Sequence, residues 1–290
     1  MTSSPFSQRV RRAFGRRVAA YEPGAPLQRS IAWRLAGLAH HHGWSAASGP
    51  SDPLALPAGP RADLGAGTGL LSRALTAWGL PLPAPLLQVD LCPEALARNP
   101  AGPPLAWDLN QGLPPSLEGA ALLVSSFALQ WLDAPADALG RWARGLAPGG
   151  WLLLAVPTAG SFPEWRQAAR QAAVPCGALP LPAAPTLLAA ASGSGLDLVR
   201  AQTLTFSQGP TAPGVASSRG RPREPLAALR ALRAIGADAS PQPPLAPGAW
   251  RRLLAAWPPG GQLSWEVFLL LARQPGRPTA APAGGEACGW

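Results

Sequence analysis

The segment Asp63-Leu64-Gly65-Ala66-Gly67-Thr68-Gly69 constrains the fold more than any other stretch, because it sets three glycines at alternate positions. Such spacing describes a bend between a strand and a helix at which a ligand can touch bare backbone. Glycine supplies positive φ and lacks the Cβ that would hold a ligand away, while the first N–H groups of the following helix offer donors to an anionic group. A dinucleotide fingerprint needs G-x-G-x-x-G, and Leu70 stands where its third glycine should be, counting from Gly65. The pattern argues for a nucleotide-like cofactor other than NAD.

Around this bend the hydropathy alternates between strand and helix periods. Val10, Phe14, Val18 and Tyr21 share one helical spacing and Leu27, Ile31, Leu35 and Leu38 another, which predicts two amphipathic helices ahead of the loop. Residues 60–62, Pro-Arg-Ala, make a poor first strand. Residues 70–80 read as helix, 86–90 as a second strand, 105–109 as a third short element, 120–125 as a fourth strand and 151–156 as a fifth. Residues 196–206 and 262–272 are expected to complete the sheet as a pair. The fold class is α/β, a doubly wound and mostly parallel seven-stranded sheet with ligands at the carboxyl ends of its strands. Amino-terminal helices precede it, and a helical insertion lies near the carboxyl terminus.

Composition places the punctuation. The 37 prolines and 32 glycines collect at 45–60, 81–85, 173–185, 207–225 and 275–285, which read as loops and insertions. The expected organisation is a helical cap over 1–44, a flexible loop over 45–60 and one domain over 61–273. Within that domain 207–225 reads as a disordered insertion, and 274–290 as a disordered tail. The net charge of +9 comes from arginine, since the chain has no lysine. Arginine forks suit phosphates or carboxylates on an acidic partner. No stripe of basic and aromatic residues suggests nucleic acid. Cys92, Cys176 and Cys288 are odd in number and far apart, so neither a disulfide framework nor a zinc site is expected, and a reducing, cytoplasmic location is. His40, His41 and His42 read as a helix end rather than metal ligands. No run of ~20 apolar residues points to a membrane span. A monomer is expected.

Two acids follow the bend at useful positions. Asp90, at a predicted strand end with Leu91 beside it, can accept two hydrogen bonds from a ribose diol or serve as a turn acid before Pro93. Asp108, between Trp107 and Leu109, can accept from an adenine amino group while an apolar neighbour covers the ring, or can cap a helix.

The glycine pattern preceded by an acid resembles motif I of S-adenosylmethionine-dependent methyltransferases. Residues 13–22, Ala-Phe-Gly-Arg-Arg-Val-Ala-Ala-Tyr-Glu, with Gln28 following, resemble the amino-terminal motif of the malonyl-acyl-carrier-protein O-methyltransferases of biotin synthesis. Ser126-Phe127-Ala128-Leu129-Gln130-Trp131, Gly160-Ser161-Phe162-Pro163-Glu164 and residues 229–237 resemble further segments of that family. The likeness begins near Arg9, so the Arg- and Ser-rich first twenty residues are not expected to be a transit peptide. It implies S-adenosylmethionine as cofactor, held by Asp63, Gly65, Ala66, Gly67, Gly69, Asp90, Leu91, Asp108, Leu109 and Ser125. It implies a malonyl thioester as substrate, on acyl carrier protein as partner or on CoA. Tyr21 would orient the carboxylate, with Gln28, Phe127, Gln130, Trp131 and Phe162 around it and Arg230 and Arg233 toward the carrier. Methylation of another small carboxylic acid, of a nucleic acid, or mere binding on a decayed fold are the alternatives. The poor first strand, the long spacer and the insertion with Arg219, Arg221 and Arg223 depart from the family pattern.

Overall fold

The computed structural model describes residues 3–42, 56–80, 82, 84–208, 224–236, 239–240, 242–259 and 261–276. Three helices lead the chain: α1 (Pro5–Gly15), α2 (Val18–Gly24) and α3 (Pro26–His41). The single periodicity through Val10, Phe14, Val18 and Tyr21 is therefore two helices, not one. The chain breaks at Arg16 and Arg17, and α3 starts on Pro26, which has no N–H to give and sits well at a first helical position. Phe14 and Tyr21 still meet across the break, with ring centroids 6.1 Å apart.

The sheet then builds through β1 (Arg61–Leu64), α4 (Leu70–Ala77), β2 (Leu87–Asp90), α5 (Pro93–Leu96), β3 (Pro104–Ala106), β4 (Ala120–Ser126), α6 (Pro135–Arg144) and β5 (Leu146–Pro157). Helices α7 (Pro163–Gln171) and α8 (Ala184–Gly193) lead to β6 (Asp197–Gln208), and α9 (Glu224–Ala234) and α10 (Pro247–Ala255) to β7 (Leu263–Arg273). The strand order is β3-β2-β1-β4-β5-β7-β6, parallel except for β7, which runs antiparallel to both β5 and β6. The chain reverses its direction of travel across the sheet between β1 and β4, which places a crevice at their carboxyl ends.

The expected weakness of the first strand is corrected here. β1 is only four residues long, yet it is central, pairing with β2 through Ala62, Asp63 and Leu64 and with β4 through Arg61, Ala62 and Asp63. Ala62 and Leu64 are fully buried. Neighbours on both sides satisfy its backbone, so intrinsic strand preference decides little. The ends of the expected loops are also ordered. Pro60 accepts from the Ala121 N–H at 2.8 Å, residues 207–208 belong to β6, 224–225 to α9, and the Gln274 N–H reaches Gly150 O at 2.8 Å. The rest of the spacer, the insertion with its three arginines, Cys288 and most of the tail lie outside the described residues.

Two apolar layers sandwich the sheet, and alternation along each central strand feeds both. Leu122, Val124, Trp151, Leu153, Val267 and Leu269 face α3, α4, α7, α9 and α10. Leu123, Leu152, Leu154, Phe268 and Leu270 face α6 and α8. This two-sided burial explains why β7 reads as a nearly continuous apolar run. Trp142 of α6 is fully buried in the second layer. Trp142→Ala is expected to cost about 3–5 kcal/mol through the cavity it leaves, seen as a lower urea midpoint with an unchanged m-value.

Candidate functional site

The three glycines of the bend have different reasons to be glycine. The N–H groups of Gly65 and Ala66 both donate to the Val89 carbonyl, at 2.7 and 3.0 Å, which folds the bend back over the end of β2. Gly65 has φ +70°, and a Cβ there would stand 2.1 Å from the Ala128 Cβ. Gly69 has φ +86° as the N-cap of α4, where a Cβ would strike Asn99 at 2.3 Å. Gly67, at φ +53°, has nothing within 4 Å of a Cβ position and borders a crevice. Two glycines thus pack protein against protein, and the third leaves bare backbone beside open space.

Asp90 anchors the other side of this bend. Its Oδ2 accepts from the Gly67 N–H and its Oδ1 from the Cys92 N–H, both at 2.8 Å. Burial raises its pKa, against the pull of these backbone donors. Each oxygen retains a further lone pair for a ligand hydroxyl. Asp108 takes the capping role, Oδ1 closing a short 3₁₀ turn by accepting from the Asn110 N–H at 3.0 Å, while Oδ2 is buried with no partner. Asp63 is buried and accepts from the Ser72 hydroxyl at 2.7 Å. Ser72 in turn accepts from Gln88 Nε2 at 3.0 Å, Gln88 Oε1 from Asn99 Nδ2 at 2.8 Å, and Asn99 Nδ2 also reaches Gly67 O at 3.2 Å. This polar chain beneath the bend escaped the sequence reading, although Gln88 interrupting an apolar strand was a trace of it.

Asp63, Gly65, Ala66, Gly67, Asp90, Leu91, Asp108 and Leu109 line one crevice of ≈ 120 Å³. Ser125 is placed elsewhere: it is fully buried, and its hydroxyl donates to Leu64 O at 2.7 Å, pinning β4 to β1. Ser126, the next residue along the pleat, lines the crevice instead. Gly69 does not line it either, its role being to turn the chain into α4. The crevice is roofed by Ser7, Val10, Arg11 and Phe14 of α1. That roof is fastened by Asn110 Nδ2 to the Ser7 hydroxyl at 2.8 Å. Cys92 also lines the crevice, with its thiol pushed up to about 12 first by burial and then by its bond to Glu94, so it is no nucleophile.

A second cavity of ≈ 930 Å³ adjoins the first. Tyr21, Gln28, Phe127, Gln130, Trp131, Phe162, Arg230 and Arg233 all line it, together with Arg9, Trp165, Trp250 and Trp265, which sequence reasoning missed. Phe14, Tyr21, Gln28, Phe127 and Trp131 line both spaces and form the junction between them. Phe14 meets Trp131 edge to face at 5.5 Å, and Trp265 receives Phe127 at 5.8 Å and Phe162 at 4.6 Å. Phe127 and Phe162 both hold left-handed backbone, with φ of 56° and 61°, an unfavourable state for bulky residues that surrounding bonds must impose. For Phe127 these are its N–H to Ala155 O at 3.0 Å and Gln130 Nε2 to its carbonyl at 2.8 Å. For Phe162 they are its N–H to Ser264 O at 2.7 Å and Glu164 gripping Ser264. Burial, with Asp90 nearby, drives the Tyr21 hydroxyl well above its usual pKa, so it stays protonated and keeps its O–H as a donor.

Residues 60–201 match the family described as a methyltransferase domain. Over this stretch, just under half of its length, the chain is similar to that family. It is 38% identical over 155 residues to the biotin biosynthesis bifunctional protein BioCD of Bordetella avium, which covers 48% of this chain and 33% of that protein. It is 36% identical over 167 residues to the malonyl-[acyl-carrier protein] O-methyltransferase of Alcanivorax borkumensis, covering 53% of this chain and 50% of that one. The enzyme of the same name from Pectobacterium atrosepticum is 30% identical over 168 residues, covering 58% and 60%. The matches thus span from a third to three-fifths of these relatives' own lengths.

The methyltransferase crevice fits S-adenosylmethionine on its own geometry. The open side of Gly67 is space that a Cβ would enter, and Asp108 Oδ2 and Thr68 Oγ1 are buried polar atoms without partners in its lining. Among the described residues no group of three His, Cys, Asp or Glu side chains could hold a metal, and no helix is long and apolar enough to cross a membrane.

Gly67→Val is expected to abolish measurable S-adenosylmethionine binding by calorimetry while costing about 1–2 kcal/mol of stability through the left-handed backbone. Retained affinity would place the cofactor elsewhere. A second outcome concerns Asp63, whose pKa burial raises from 3.8 to about 7. Between those values the unfolded chain has lost this proton and the folded chain still holds it, so stability falls as pH rises from about 4 to about 7. Asp63→Asn is expected to flatten that slope, which urea unfolding at several pH values across the window will show.

Proposed function

We propose that this chain transfers a methyl group from S-adenosylmethionine to the free carboxylate of a malonyl thioester on acyl carrier protein. The names of its relatives support the substrate, and the observation that carries the reading is the junction where Tyr21, Gln28, Phe14, Phe127 and Trp131 line both the donor crevice and the acceptor cavity. Intact pairing of β1 removes the reason for reading the chain as a decayed binding protein.

A carboxylate is ionised near neutral pH, so the acceptor needs no general base. The chemistry asks instead for alignment and for exclusion of water. S-adenosylmethionine supplies, when bound, a sulfonium methyl that an anion can attack. Gly67 would let the donor's main body approach the backbone, Asp90 would accept from the ribose hydroxyls, and Asp108 Oδ2 would accept from the adenine amino group. Tyr21, held protonated, would donate to one carboxylate oxygen and fix the direction of the other. Phe127, Trp131 and Phe162 would keep the junction dry, and Gln130 would offer its buried, unpartnered Oε1 to an N–H of the incoming arm. The exposed Arg230 and Arg233 lie three apart on α9, where they would meet the carrier's acids or the phosphate of its prosthetic arm.

Tyr21→Phe keeps the ring and removes the donor. A hydrogen bond to a charged group of ~1.5–3 kcal/mol converts to a loss of about ten- to a hundredfold in kcat/KM, with cofactor affinity little changed. Full activity in this variant would remove Tyr21 from the mechanism. Arg230→Glu with Arg233→Glu is expected to raise KM for the malonyl carrier steeply at low salt and less at high salt. A KM that does not respond to salt in either protein would show that the carrier docks elsewhere. Failure of purified protein to add one methyl to malonyl carrier, read by mass, would refute the substrate.

A further inference from the structure

The acceptor cavity is much larger than a malonyl group requires. Pockets of ~300–1,000 Å³ enclose whole drug-sized ligands, and this one measures ≈ 930 Å³, whereas malonyl offers three carbons. Its character also changes along its walls. Tyr21 stands at the junction with the donor crevice, where Phe162 and Trp265 pack toward Phe127, and the rest of the wall includes Trp165, Leu181, Leu245 and Trp250. The charged lining residues, Arg9, Arg230 and Arg233, are all exposed, and Arg9 Nη1 is bonded to Ser240 O at 2.7 Å. A ligand matching this sequence of surfaces has a carboxylate at one end, an apolar stretch next, and any polar carrier outside. A malonyl thioester would draw an amide-bearing arm along this wall and need partners such as Gln130 Oε1 and Trp165 Nε1 for its polar groups, whereas a polymethylene chain needs none. A longer chain would leave that arm at the arginines.

We propose that this cavity takes carboxylates borne on an unbranched polymethylene chain of medium length and that the chain converts them to methyl esters. The proposal rests on the junction read above and extends its substrate class beyond malonyl. The step balances without a further reactant. One carboxylate oxygen forms a bond to the methyl carbon of S-adenosylmethionine as the carbon–sulfur bond breaks. The electron pair of that bond stays on sulfur, the positive and negative charges cancel, and no proton moves. Free fatty acids and half-thioesters of long dicarboxylic acids share this chemistry, and both belong in the test.

Binding is read first, apart from turnover, by quenching of tryptophan fluorescence in the full chain saturated with S-adenosylhomocysteine. Butanoate, hexanoate, octanoate and decanoate are the probes. Burial of each added methylene is expected to lower Kd by up to about fourfold, and the longer acids are expected to gain one methyl group by mass. Leu181→Trp, and independently Leu245→Phe, should make the series level off at a shorter acid. A Kd that does not change with chain length, or a series unaltered in both variants, overturns the proposal. The malonyl reading is separated by a parallel reaction on malonyl carrier. Methylation there with a flat acid series leaves that reading standing and this one refuted. A steep series with methylation of octanoate and none of malonyl carrier does the reverse. Comparing octanoate with the carrier-bound half-thioester of octanedioic acid distinguishes free from carried substrates.

Discussion

The whole site depends on one carbonyl with two donors. Val89 O, at the end of β2, takes the N–H groups of both Gly65 and Ala66, which obliges the chain leaving β1 to curl toward its neighbour rather than run on. That curl brings Gly67 N–H to Asp90 and turns its carbonyl toward Asn99. An acid on one strand and a glycine on another thereby become a single feature. The bonds require β1 and β2 to be parallel and in register, so the bend is a property of the sheet as much as of the glycines.

The alternation of strands and helices, the pairing of the last two strands and the lining of the donor crevice by the glycine motif, Asp90 and Asp108 could all be read from residue order, because periodicity and turn chemistry are local. The strength of β1 could not. Pro60, Arg61 and Ala62 have little intrinsic preference for a strand, and only the partners on both sides supply it. The division of the first helical stretch was hidden because Phe14 and Tyr21 keep their mutual contact across the break, so one periodicity describes two helices. Ser125 and Ser126 illustrate a limit of strand reading. Adjacent residues face opposite ways, and a one-residue choice decides whether a hydroxyl ties two strands together or meets a ligand. Trp165, Trp250 and Trp265 gave no sign in the sequence, since an aromatic on a helix or strand reads as core until the surrounding elements are placed.

The two spaces differ in how their polarity is arranged. The donor crevice presents acids whose protonation burial favours, a setting that rewards a cationic ligand able to pair with them. The acceptor cavity presents arginines at its edge and a phenol at its inner end, a setting for an anion. On the proposed reading, opposite charges would be guided to the two sides of one aromatic junction, where their reaction would leave a neutral pair and water would only weaken their mutual attraction.

Trp265 belongs to the last strand, while among the described residues none that lines the donor crevice lies beyond Leu132. During synthesis the full set of groups that would hold the nucleoside leaves the ribosome well before Trp265 of the second cavity, since chains grow at about 5–20 residues per second. Recombination would act on the same division. Exchange of the carboxyl-terminal half among such proteins would replace the wall of the second cavity from Pro157 onward and leave the first crevice, with Tyr21 and Gln28 beside it, untouched.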